Sequence, residues 1–118
     1  MNIMFEDSIT EDQRSKYILL ELDTFYFTSI GKKRTAFCLI ENAPIMEMIE
    51  VDRMLELHNN LMKNYRLQNW NYCDSALEHL TGRWNKEADS FYSSLQERIN
   101  ELKDTEPSQQ WDGTIQKD

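Results

Sequence analysis

Glycine and proline are scarce in this chain, three and two among 118 residues. That scarcity excludes collagen-like repeats and Gly/Pro-rich linker or low-complexity sequence. Cysteine is limited to Cys38 and Cys73. Both lie inside apolar patterns without metal-site spacing, so they read as buried free thiols of a reducing compartment, not as a disulfide framework. The two histidines, His58 and His79, fall on different predicted helices with no partner at ligand spacing, which argues against a zinc site. No apolar run approaches membrane-spanning length, and the opening MNIMFEDSITEDQ is acidic where a secretory signal would be basic. The expectation is a soluble cytoplasmic protein with no membrane partner. Cations are also short: 13 Lys and Arg face 21 Asp and Glu, a net charge of -8. Such a field repels phosphate backbones and anionic lipid, so nucleic acid is not an expected partner, and basic or neutral proteins are favoured.

What remains is enough to fold. The chain is 40% hydrophobic and 11% aromatic, too apolar for disorder, and its length suits one domain with a modest core. Residues 1–16 form a polar leader, broken only by Ile3, Met4 and Phe5. Little is expected to depend on it, and it reads as too polar to add a strand, although Thr10 to Gln13 has capping-box spacing. From Tyr17 the runs YILLELDTFYF and TAFCLIE flank the Gly-containing basic turn TSIGKKR, a hairpin signal over 17–41. Strict alternation places Ile18, Leu20 and Leu22 on one face, with Leu19, Glu21, Asp23, Phe25 and Phe27 on the other. Ala36, Cys38 and Ile40 likewise oppose Phe37 and Leu39. Both faces carry apolar groups, so helices should cover one and something else part of the other.

After Pro44, which marks a turn or helix start, the period changes to about 3.6 and predicts three amphipathic helices over about 44–103. Their stripes are Met54, Leu57, Leu61 and Tyr65; Trp70, Cys73, Leu77 and Leu80; and Trp84, Ala88, Phe91, Leu95, Ile99 and Leu102. Asn69 is a candidate N-cap and Gly82 a candidate left-handed terminator. Short connections make neighbouring helices antiparallel. The predicted fold class is therefore α+β, a β-hairpin followed by three antiparallel helices in one domain over 17–103. Residues 104–118 read as a flexible tail, with Trp111 either an exposed ligand residue or a loose contact.

Tyr65, Trp70 and Ala76 place bulk on either side of a tight inter-helix turn, with a small residue where the backbones approach. This pattern resembles a tetratricopeptide unit. A single unit cannot bury its apolar face alone, so Tyr65, Trp70, Ala76, Leu77, Trp84, Phe91 and Leu95 read as structural core. The stretch ELDTFYFTSIGKKRTAFCLIE, through Glu21, Leu22 and Asp23, then Gly31 and Lys32, then Phe37 to Glu41, resembles the closing hairpin of bacterial class III adenylate and guanylate cyclase domains. The following LHNNLMKNYRLQNWNYCDSALEHL is similar to the tail of many such enzymes, with Tyr65, Arg66, Trp70 and Ala76 on recurring positions and Arg98 near its end. The resemblance also implies a lack. Two metal-binding aspartates, an Asn and an Arg would precede the hairpin, and here only the leader does, its Glu6, Asp7, Glu11 and Asp12 reading as solvated charge.

No nucleophile-and-base set, no phosphate-cradling loop and no metal geometry emerges elsewhere. Gly31 with Lys32, Lys33 and Arg34 reads as a solvated hairpin tip, and Glu47, Glu50 and Glu56 as a hydrated helix surface. No catalytic, cofactor or metal residue is assigned. The expected function is a non-catalytic interaction or regulatory module resembling the end of a class III cyclase, acting on a protein partner or a second copy through the hairpin. Phe25, Phe27, Phe37, Leu39 and Trp111 form its candidate surface. The alternative is a small acidic inhibitor or mimic, of the kind phage proteins often are, that binds a host protein.

Overall fold

The computed structural model describes residues 1–41 and 48–118. The turn expected at Pro44, and Glu47, lie outside them. Large apolar and aromatic side chains suit a pleated, half-buried ribbon, and the two runs read as a hairpin form β2 (Tyr17–Phe27) and β3 (Lys32–Glu41). Gly31 closes the turn with a φ of +61°, its N–H donating to the Phe27 carbonyl.

The chain itself occupies the hairpin's two outer edges, which the sequence left to a partner. β1 (Ile3–Phe5) pairs antiparallel with Cys38–Ala36 of β3, and β4 (Ile115–Lys117) pairs parallel with Phe25–Phe27 of β2. The result is a mixed four-stranded sheet in the order β1-β3-β2-β4. The leader is polar on average, but a three-residue edge strand needs only Ile3, Met4 and Phe5 to be apolar. The terminal segment, read as a tail, likewise needs only Ile115 and the backbone.

Between β1 and β2 the chain crosses the outer side of the sheet through a 3-10 turn at Glu6–Ser8 and the short α1 (Glu11–Lys16). Thr10 caps α1 in a reciprocal box, its hydroxyl accepting from the Gln13 N–H while the Gln13 side chain accepts from the Thr10 N–H. Here Ile9 and Leu39 are buried away from the main cluster.

Three longer helices cover the other side: α2 (Met48–Arg66), α3 (Trp70–Leu80) and α4 (Asp89–Thr105). The architecture is mixed α+β. Leu20, Leu22, Ala36, Cys38 and Ile40 from the sheet meet Leu61, Met62, Cys73, Leu77, Leu80, Leu95 and Ile99 from the helices in one continuous core. Trp84 precedes α4 in a 3-10 turn whose Asn85 and Lys86 have positive φ, so the third stripe begins outside the helix. Asn69 sits at the N-cap of α3 but spends its side chain on Asn64.

Trp84 is 1% exposed and its indole N–H is bonded, whereas Trp70 is only half-buried at the core's rim. Trp84→Ala is expected to lower unfolding free energy by about 3–5 kcal/mol, and Trp70→Ala by less, because part of its ring already meets water. Urea titration checks the ranking, and equal losses contradict it.

Candidate functional site

The site begins with one extra residue in β2. Glu21 pairs with Phe37 and Thr24 with Thr35, so Leu22 and Asp23 together stand opposite Ala36. Such a bulge bends the strand and re-aims a side chain. It also shifts the alternation by one. Phe25 is the partner of Arg34, on the same side of β3 as Ala36 and Cys38, so Phe25 and Phe27 face the helix side with Leu20 and Leu22. The sequence reading had placed them opposite, because strict alternation holds only in an unbroken ladder.

Asp23 is aimed at α4, where its two carboxylate oxygens accept from both terminal nitrogens of Arg98 at 2.9 Å each. Burial disfavours the guanidinium's charge, but Asp23 outweighs it and the Arg98 pKa is raised. Above this pair opens a cleft of about 430 Å³ lined by Ile3, Phe5, Leu22, Phe25, Ala36 and Phe91, with Ser90, Ser94 and Arg98 along α4 and Met1 at its edge. Phe5, Phe25 and Phe27 form an aromatic cluster with ring centroids 5.7–6.2 Å apart. Arg34 lies over Phe5 at 4.0 Å and is held by Asp7.

Beneath the bulge lies a buried polar chain. The Trp84 indole N–H donates to the Tyr92 hydroxyl at 3.0 Å, and His58 Nδ1 lies 2.9 Å from that hydroxyl. His58 Nε2 lies 2.6 Å from the Glu21 carbonyl, which can only accept. The proton is therefore assigned to Nε2, and Tyr92 donates to Nδ1: every donor has an acceptor and the imidazole is neutral. Burial pushes the His58 pKa down from 6.5, partly offset by the Glu21 carbonyl and charge. The Glu21 carboxylate is in turn bonded to Arg66 at the end of α2.

The sequence-derived site residues are thus scattered. Phe25 and Phe27 join the aromatic cluster; Phe37 and Leu39 lie on the outer side, Leu39 only 2% exposed. Trp111 packs on Tyr65 and Trp70 at ring distances of 5.2 and 5.8 Å. Ala76, Leu77, Trp84, Phe91 and Leu95 are buried in the core. Sequence reasoning missed Ile3, Phe5, the Asp23–Arg98 pair and His58. The signal for His58 was present, since it shares a helical stripe with Met54, Leu61 and Tyr65.

A second groove, about 500 Å³ between α3 and α4, is lined by Asp74, Glu78, Asp89 and Glu97 among others. Two of these acids serve the fold: Asp74 accepts from Gln96 and Lys103, and Asp89 from the Gly82 N–H. Among the described residues no three His, Cys, Asp or Glu side chains converge as a metal site, and none of the helices there is long and apolar enough to cross a membrane. Burial pushes both thiols, Cys38 and Cys73, up to about 11, which leaves them un-ionised at neutral pH. The chain matches no protein-family model, no curated protein and no solved structure.

Unfolded, His58 takes up a proton near pH 6.5; folded, it does so only at lower pH. The unfolded state therefore binds more protons in that window, and stability, full above pH 6.5, falls as pH drops through it. The carboxylates held low, Asp7, Asp74 and Asp112, start from an ordinary value of 3.8 and act at more acid pH. Just below pH 6.5 the loss from this one proton is at most about 1.4 kcal/mol per pH unit. His58→Gln, which does not titrate, should flatten the melting-temperature profile there, and an unchanged slope refutes the assignment.

Proposed function

We propose that this chain is a non-catalytic protein-interaction module, built like the hairpin and helical end of a class III cyclase, that receives an apolar side chain of a partner protein in the Phe5–Phe25–Phe91 cleft. The supporting observation is the make-up of that cleft. Its walls are aromatic and aliphatic, its volume of about 430 Å³ suits a bulky anchor, and its one ion pair is satisfied internally by a bidentate bond. A neutralised pair beneath an apolar wall recognises shape in place of charge. With a net charge of -8, basic residues flanking the anchor speed encounter.

α2 and α3 with Tyr65, Trp70 and Ala76 act as one tetratricopeptide-like helical pair, capped by α4 and the sheet instead of by further repeats. An acidic mimic is the weaker reading, because Asp74 and Asp89 on the α3–α4 groove bond within the chain instead of standing free in a row.

Phe25→Lys is expected to abolish retention of a partner that the native protein captures, with the far-ultraviolet circular dichroism unchanged. Retention by the variant sinks the cleft as the docking site. Sedimentation at high concentration decides whether the partner is a second copy. No cyclic nucleotide is expected from ATP or GTP with magnesium or manganese; product formation that Asp23→Ala removes overturns the non-catalytic reading.

A further inference from the structure

Beyond Thr105 the chain doubles back as a strap. Glu106 ends α4 in the left-handed conformation, φ 48°. Trp111 then lies edge-on to Tyr65 and Trp70, and β4 joins the edge of β2. Between them Gly113 passes so close to Tyr65 that an added Cβ would sit 2.9 Å from Cε2, at a φ of +83°. At this point the seat admits only backbone without a side chain.

Its occupant is lightly held. Pairing extends over three residues, of which Gln116 and Lys117 are exposed. The linking residues bond to the body through the Ser108 carbonyl, which accepts from the Gln68 side chain, and the exposed Asp112–Lys33 pair adds little. Between strap and α4 remains an open space of about 280 Å³ lined by Tyr65, Arg98, Leu102, Trp111 and Ile115. The fully buried side chains all come from the rest of the fold. A short edge strand with few buried contacts opens at far lower cost than the core.

We infer that the edge of β2 at Phe25–Phe27, with the Tyr65–Trp70 shelf beside it, is a strand-binding seat that the strap fills in cis and an extended segment of a partner protein takes over in the same parallel register. The strap shows what the seat accepts: an aromatic residue on the shelf, a backbone without Cβ two residues on, and a β-branched apolar residue opposite Phe25. Main-chain bonds to the sheet edge supply affinity and the two side chains supply specificity. Tethering gives the strap a high local concentration, so a partner must exceed a threshold before it displaces it. The inference rests on the interaction reading only for the existence of a natural partner, since the seat is tested with the strap's own sequence.

A labelled peptide covering residues 110–118 is titrated by anisotropy into the native chain and into Ile115→Asp, which unseats β4. Binding to the variant is expected to be at least about tenfold tighter, because the tethered competitor is gone. The same peptide carrying Trp111→Ala should fail to bind. Equal affinity for both chains, or no binding to a variant whose core amides keep their exchange protection, overturns the inference. Trp111→Ala in the chain is the second host should Ile115→Asp disturb the sheet, and the same two results overturn it there. The peptide is expected to bind an Ile3→Lys chain as it binds the native one, because Ile3 lines the cleft from β1, at the opposite edge of the sheet from the seat; the seat and the cleft readings therefore fail separately.

Discussion

One inserted residue organises this molecule. The Leu22–Asp23 bulge interrupts the β2–β3 ladder. It turns Phe25 and Phe27 toward the helices, sends Asp23 to Arg98 on α4, and stands next to the Glu21 carbonyl that receives His58 from α2. Without the extra residue, the apolar set of the distal half of β2 would move to the outer side, since the strand period is two. The cleft exists because the bulge keeps both halves of a long strand facing the same helical layer.

The polar groups around the bulge form two closed accounts. Asp23 and Arg98 satisfy each other with parallel bonds. Trp84, Tyr92, His58 and the Glu21 carbonyl run donor to acceptor without an orphan, and no buried side-chain nitrogen or oxygen among the described residues lacks a partner. A fully satisfied network rigidifies; a partly satisfied one costs more than an apolar core. That is why a proton added at His58 matters: Nδ1 becomes a donor, the Tyr92 O–H loses its acceptor, and the sequence of bonds no longer closes.

Much of the layout was legible because it rests on local period. The hairpin runs, the stripes of α2, α3 and α4, the Thr10–Gln13 box and the left-handed Gly82 all carry their signal within a few residues. The missed parts depend on distance in sequence. Asp23 and Arg98 meet across 75 positions, and the bulge leaves no mark in the one-letter code, because a shifted alternation of apolar residues looks like an unshifted one where both faces are apolar. β1 and β4 were hidden by averaging: three residues suffice for an edge strand, and polar surroundings dilute them below any window.

The placement of the tryptophans makes the chain its own reporter. Trp84 is sealed in the core with its N–H on Tyr92, while Trp70 and Trp111 stand 5.8 Å apart beside the strap. Their emission therefore divides by region: a buried indole tracks the global transition, and a coupled surface pair tracks whether the last dozen residues are seated. Opening at one end and melting of the whole become distinguishable colours in a single unlabelled sample.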